Sequence, residues 1–240
     1  MRVTATFSYR EQEDPKLTSG FRESPLDPAA TAQGGPVQTL TWTSAGTGFL
    51  IDSDGHIATA NHIVSPLLNQ QAAEKRLKAE GKVLGPDSFQ RANITVIVGD
   101  SEHKAARVYR KNDRLDIAIL TLGGRTPWLR VPDFEEKEPR PGESVSVSGF
   151  PATAASDVGN LTTSTGSVLD PVFKGTNGRG FYLAEVTANP GESGAPVFVT
   201  ANGRIIGLVD ANVNLRNAPG AGRIEIIPIR EILSLLPSSR

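Results

Sequence analysis

Ser193 lies in the stretch Asn189-Pro190-Gly191-Glu192-Ser193-Gly194-Ala195-Pro196, bracketed by glycines and flanked on both sides by prolines. Glycine reaches backbone angles closed to other residues, and proline stiffens the chain entering and leaving the loop. Such a loop can hold a hydroxyl outward on a tight turn, with the amides of Gly191 and Ser193 pointing together. A hydroxyl beside converging N–H donors is the equipment of acyl transfer. The same string also reads as an ordinary turn, so its meaning rests on a base elsewhere in the chain.

A serine hydroxyl is a poor nucleophile at neutral pH until a base takes its proton, and the chain offers three histidines. His103, in Ser101-Glu102-His103-Lys104, reads as a surface residue. His56 follows Asp54-Gly55 at a hairpin turn and reads as solvent-facing. His62 ends an apolar strand between Asn61 and Ile63, where it is either a satisfied core residue or a base. The partner it would need is Asp116, a lone carboxylate within Leu115-Asp116-Ile117-Ala118-Ile119-Leu120. A carboxylate is costly to bury unless hydrogen-bonded or paired. Asp116 therefore either starts the strand in an exposed turn or accepts a hydrogen bond from His62, fixing its tautomer. No HExxH or clustered histidines mark a zinc site, no phosphate-binding glycine loop precedes a helix, and no metal or cofactor is expected.

These residues need rigid elements beneath them. Leu40 to Ile51 and His56 to Ala60 are apolar runs joined by Asp52-Ser53-Asp54-Gly55, the pattern of a β-hairpin. Ser65-Pro66 supplies an N-cap and a first-turn proline, and Gly81 a stop, predicting a surface helix with a thin apolar face of Leu67, Leu68, Ala72 and Leu77. Strands resume at Ile94–Val98, 105–109 and 115–120. A second set follows at 144–149, 161–169, 181–187, 196–199, 204–209 and 224–229, with a short helix over 230–236. The expectation is all-β: two six-stranded antiparallel β-barrels, one surface helical insertion and a short C-terminal helix. The expected division is a flexible N-terminal arm over 1–37, in which Val3 to Phe7 could still dock as a strand, and a first barrel over 38–122 carrying His62 and Asp116. A linker over 123–142 and a second barrel over 143–240 carrying Ser193 complete it.

Composition excludes more than it assigns. With 25 basic and 26 acidic side chains the net charge is −1, which draws the chain to neither nucleic acid nor an anionic membrane. The absence of cysteine removes disulfides, thiolate nucleophiles and cysteine metal sites. No apolar run approaches the roughly 18 residues of a spanning helix. The N-terminal residues carry charge where a leader peptide would have its apolar core. These features together point to a cytoplasmic protein. Oligomeric state is not legible.

The segments Thr47-Gly48-Phe49-Leu50-Ile51 and Thr59-Ala60-Asn61-His62-Ile63-Val64 resemble the histidine region of trypsin-like serine proteases. Leu115-Asp116-Ile117-Ala118 is similar to their aspartate strand, and Pro190 to Pro196 to their serine loop, in the chain order His, Asp, Ser. The HtrA-like, cysteine-free branch is the nearest likeness, through Asn189-Pro190-Gly191 and Ile226-Ile227-Pro228-Ile229. The resemblance implies a serine endopeptidase acting on protein or peptide, with His62 as general base and then acid, Asp116 as its orienter and Ser193 as nucleophile. It also implies an oxyanion hole from the amides of Gly191 and Ser193. Thr187 would lie near the base of the S1 pocket, and Asp210, Ala211 and Asn212 would follow the strand that pairs with substrate. A neutral Thr187 implies cleavage after small or medium uncharged residues. HtrA-like relatives carry a PDZ domain after the protease, and this chain stops at Arg240, so that module is expected to be missing. Glu192 and Ala195 depart from the family pattern, where Asp or Asn and Gly are common. Glu192 either projects to solvent or disturbs the loop, and Ala195 is tolerable only with negative φ. The alternative is a catalytically weak or inactive peptide-binding module on the same fold.

Overall fold

Alternation of apolar and polar residues and β-branched runs give twelve strands, β1 to β12, in the computed structural model, which describes residues 1–13, 38–80, 82–98, 102–151, 160–175, 178–212 and 222–237. In chain order these are β1 Arg2–Glu13, β2 Gln38–Leu50, β3 His56–Ala60, β4 Lys82–Val98, β5 Glu102–Asn112 and β6 Ile117–Thr121, then β7 Ser144–Gly149, β8 Thr162–Lys174, β9 Gly180–Glu185, β10 Pro196–Val199, β11 Ile205–Asn212 and β12 Arg223–Pro228. The strands close into two six-stranded antiparallel barrels, ordered β1-β2-β3-β6-β5-β4 and β10-β11-β12-β9-β8-β7. Closure removes unpaired sheet edges. Among the described residues three helices accompany them: α1 Asn61–Val64, α2 Pro66–Ala79 and α3 Ile229–Leu233.

The chain divides into two compact units. One comprises Met1–Thr4, Ala45–Val64 and Ile94–Arg240, and every candidate site residue belongs to it. Its core includes Phe49, Ala58, Ile117, Ile119, Phe181, Leu208, Ile227 and Ile232, with a second cluster built around Val145, Val147, Tyr182, Val197, Ile206 and Ile226. Two registers place the chemistry. β3 pairs antiparallel with β6, Ala60 opposite Ile117, so the residues just past β3 meet the residue just before β6. β10 pairs with β11, Pro196 opposite Leu208, so the loop entering β10 runs beside the end of β11.

The other unit comprises Ala5–Ser44 and Ser65–Asn93. In α2 the Ser65 hydroxyl accepts from the Leu68 amide at 3.5 Å and proline opens the first turn, as the sequence predicts. Its inward face differs from the expected one: Asn69, Ala73 and Leu77 are buried while Leu67 is 63% exposed. The i, i+4, i+8 spacing fixes that face, and polar Asn69 is accommodated because its side chain donates to the Ser65 carbonyl and accepts from the Trp42 indole.

The arm expected over 1–37 needs correction in its first part. Residues Arg2–Glu13 form β1, with Val3, Ala5, Phe7 and Tyr9 fully buried. Their strict alternation with Thr4, Thr6 and Ser8 is the period of a strand with one buried face. Residues 14–37 lie outside the described structure. Between Thr121 and Ser144 no strand or helix occurs beyond a single bridge of Phe134 to Ile205.

Leu77→Ala is expected to cost about 2–3 kcal/mol, whereas Leu67→Ala should stay within roughly 0.5 kcal/mol. Urea unfolding of the two variants checks the assignment of the buried face.

Candidate active site

His62 lies in α1, two residues beyond the fully buried end of β3. Asp116 immediately precedes β6 and has φ +56°, the only positive value at a non-glycine residue among the described ones. Aspartate tolerates this left-handed conformation better than most side chains. The turn is held by Asn112, whose Oδ1 accepts from the amides of Arg114 and Leu115, both at 3.1 Å. So disposed, Asp116 binds the incoming segment three ways. Its carbonyl accepts from the Asn61 amide at 2.8 Å, Oδ1 accepts from the His62 amide at 2.8 Å, and Oδ2 faces His62 Nδ1 at 2.5 Å. Of the two readings left open for Asp116, the exposed turn is excluded: its side chain is 15% exposed and paired.

Burial lowers the His62 pKa, but the hydrogen bond and charge of Asp116 outweigh burial and leave the imidazole above its ordinary value. The other histidines are elsewhere. His56 is not solvent-facing as expected: its ring is 14% exposed and its Nδ1 meets Asp52 Oδ2 at 2.6 Å across the hairpin turn. The side chain of His103 lies outside the described residues.

The loop from Asn189 to Ala195 takes positive φ at Gly191 (+93°) and Gly194 (+80°). A Cβ at Gly194 would stand 2.3 Å from the Thr47 carbonyl oxygen and 2.8 Å from the Ala60 nitrogen, so only glycine lets this loop lie against the strand leading to His62. Thr47, 1% exposed, clasps it. Its amide donates to the Ser193 carbonyl at 2.9 Å, and its hydroxyl donates to the Gly191 carbonyl at 3.1 Å while accepting from the Phe150 amide at 3.0 Å. Among the described residues no carbonyl accepts from the amides of Gly191 or Ser193. Ser193 itself is half-buried.

The two departures in this loop both have structural accounts. Glu192 is neither solvent-facing nor disruptive: it is fully buried, accepting from the Asn189 amide at 2.6 Å and from the Thr162 hydroxyl at 2.7 Å. Its own amide donates to the Asn189 carbonyl at 3.0 Å, closing a reciprocal ring that resembles a capping box. Ala195 is fully buried and is not among the positive-φ residues.

The residues expected to face substrate part company. Thr187 is exposed. The side chains of Ala211 and Asn212 lie outside the described residues, although their backbone continues β11. Asp210 is 4% exposed and turned toward Asp116 instead of an open cleft. Burial, then the hydrogen bond and charge of Asp116, raise its pKa to about 7, against the opposing charge of Arg179. Arg179 Nη2 stands 3.6 Å from Asp210 Oδ2, its Nη1 donates to the Arg114 carbonyl at 2.7 Å, and its guanidinium lies 5.0 Å from the Phe181 ring centre. Ligand-capable atoms of His62, Asp116 and Asp210 all fall within 4.8 Å of one another. A cation there would have to displace the proton between Nδ1 and Asp116.

A family profile described as a trypsin-like peptidase domain matches residues 46–208. The chain belongs to that family. A Pseudomonas putida (strain W619) protein named "Probable periplasmic serine endoprotease DegP-like" is 27% identical over 187 residues, covering 78% of this chain and 33% of that protein. A protein of the same name from Marinomonas sp. (strain MWYL1) is 25% identical over 206 residues, covering 85% of this chain and 37% of the other. An HtrA-type protease solved with a decapeptide matches with TM-score 0.62 at 17% identity, covering 97% of this chain and 61% of that one; this likeness shows the double-barrel fold. The chain spans about a third of the length of the curated relatives it matches.

The periplasmic description of those relatives overturns the cytoplasmic location expected from sequence. The physical grounds for that expectation were weak. Lack of cysteine permits a reducing compartment without requiring one, and the N-terminal charges fall within β1.

Within this trypsin-like peptidase domain, Thr47, Arg179 and Thr162 are the site residues that sequence reasoning missed. Nothing in their local spacing marks them, since each acts by reaching a segment more than 25 positions away. Glu192→Ala is expected to cost about 1–3 kcal/mol by leaving the Asn189 amide and Thr162 hydroxyl without an acceptor, and Glu192→Gln less. Thermal and urea unfolding of the pair provide the measurement.

Proposed function

We propose that the chain is a serine endopeptidase that hydrolyses peptide bonds through an acyl-enzyme intermediate. The observation that carries this reading is the half-buried Asp116 engaged to His62 in the same compact unit as a glycine-shaped serine loop with two amides that no carbonyl among the described residues accepts from. In this reading His62, neutral and held by Asp116 in the tautomer with Nδ1 protonated, takes the proton of Ser193 as the hydroxyl attacks the substrate carbonyl. The carbonyl oxygen becomes an oxyanion received by the amides of Gly191 and Ser193. The imidazolium formed is stabilised by Asp116 and returns its proton to the leaving amine. Water then repeats the sequence on the ester, releasing Ser193.

The substrate is proposed to be an extended protein or peptide segment, pairing with the backbone at the end of β11. Support comes from the likeness to DegP-like endoproteases and to an HtrA-type protease solved with a decapeptide. The neutral, exposed Thr187 supports cleavage after small or medium uncharged residues. By the same likeness the protein works outside the cytoplasm.

A fluorophosphonate probe is expected to label the protein at Ser193 and to leave Ser193→Ala unlabelled. Absence of labelling in the intact protein, or equal labelling of both, would favour a non-catalytic peptide-binding module. Turnover of peptide amides ending in Val or Ala should fall by about 10⁶-fold in Ser193→Ala and by about 10⁴-fold in Asp116→Asn, which holds the wrong tautomer. Rapid cleavage of an Arg-terminated amide, with none after Val or Ala, would refute the proposed preference.

The pH dependence has a definite sign. His62 acts as a base only when neutral, and its pKa is raised. The acid limb of kcat/KM is therefore expected above the ordinary imidazole value of about 6.5. A limb below that value would contradict the proposed role.

A further inference from the structure

Asp210 stands behind the His62–Asp116 pair, and its position is built by the sheet. β11 pairs with β12 so that Val209 faces Ile226 and Ala211 faces Glu225, leaving Asp210 as the extra residue of a bulge. Bulges re-aim a side chain out of the strand's alternation, and this one buries the Asp210 carboxyl beside Asp116, with carboxylate oxygens of the two within 4.8 Å. Ionised carboxylates are acceptors only, so a hydrogen bond between the two requires a proton on one of them.

That proton does not belong to Asp116. Both of its oxygens already meet N–H groups, Oδ1 the His62 amide at 2.8 Å and Oδ2 the imidazole Nδ1 at 2.5 Å. N–H donors of this kind favour the ionised form. Asp210 is held otherwise. The cation facing it, Arg179, stands at 3.6 Å, beyond hydrogen-bonding distance, with its Nη1 directed to the Arg114 carbonyl. Among the described residues the remaining charged groups around it are His62, Asp116 and, from β12, Glu225. Asp116 and Glu225 oppose a second negative charge, while His62 when protonated and Arg179 favour one.

We propose that Asp210 is a positioning residue, a protonated carboxyl that donates its hydrogen bond to Asp116 and holds that carboxylate on His62. The positioning role rests on the peptidase reading above; the proton does not. Burial and Asp116 keep the carboxyl protonated up to about neutrality. Once pH rises beyond that, the donated bond is lost and a second negative charge appears beside Asp116. Activity therefore declines on the alkaline side for a reason separate from His62, which sets the acid side. Asparagine at 210 donates at every pH, and alanine at none.

The test uses the full chain in two measurements. Carboxyl-carbon NMR follows the Asp210 resonance, assigned by its disappearance in Asp210→Asn, through a pH titration. A midpoint near 7 is expected, and a midpoint in the ordinary carboxylate range near 4 overturns the proposal. The second measurement is the rate of fluorophosphonate labelling against pH. Wild type is expected to show an alkaline decline that Asp210→Asn lacks, while Asp210→Ala is slowed roughly ten- to a hundredfold throughout. Superimposable wild-type and Asp210→Asn profiles would reduce Asp210 to a packing role and refute the positioning. No labelling of wild type at any pH would refute the peptidase reading and the positioning role with it, while the titration still decides where the proton resides.

Discussion

Drawing a carboxylate largely out of water beside a histidine is the constraint on which the rest of this site depends. An unpaired carboxylate in that place would cost several kcal/mol, so each oxygen of Asp116 meets a donor. The carbonyl, Oδ1 and Oδ2 each meet the Asn61–His62 segment. Meeting all three at once demands the left-handed backbone at Asp116, a conformation that costs of order 1 kcal/mol and persists only where its surroundings over-determine it. Here the surroundings are the β3–β6 register and the Asn112-capped turn. Specificity of geometry, more than net stability, is what such an arrangement secures.

The serine loop is fixed by different means. Its backbone, not its side chains, carries most of the anchoring, through the Thr47 clasp and through Gly194 amide and Ala195 carbonyl bonds to Val209. The loop thereby inherits the rigidity of β2 on one side and β11 on the other. Two glycines at positive φ turn the chain sharply enough that the Gly191 and Ser193 amides find no carbonyl acceptor among the described residues. Glu192 closes the loop on itself from beneath. A preorganised pair of donors is useful to acyl transfer because no reorganisation is needed as charge develops.

Most of the fold was legible in the sequence because its signals are local. The Asp52–Gly55 turn, the Ser65-Pro66 helix start and the β-branched runs each declare themselves within a few residues, and the corresponding elements form where expected. β1 is only partly declared: Val3 to Phe7 reads as a strand able to dock, but the proline-rich residues that follow give the stretch as a whole the composition of an arm. The buried face of α2 was misjudged because Asn69 is polar by type and satisfied only in context. His62, Asp116 and Ser193 stood out by residue type and neighbourhood. The destinations of Asp210 and Glu192 did not, since a bulge register and a reciprocal loop hydrogen bond are properties of pairing, invisible along one strand.

Gly149, at the end of β7, gives the loop's unusual sequence a wider meaning. A Cβ there would stand 2.9 Å from Glu192 Cγ and 3.1 Å from the Ala195 methyl. The space vacated by one missing side chain is thus filled by two others from a segment over forty positions away. These three positions form a single packing unit, and substitutions among them will not add independently. A bulkier residue at 149 becomes acceptable only after the loop has shrunk to shorter side chains. The order in which such changes accumulate is therefore constrained, and a glutamate at 192 is a commitment the chain cannot reverse without also revisiting β7, the strand paired with β10.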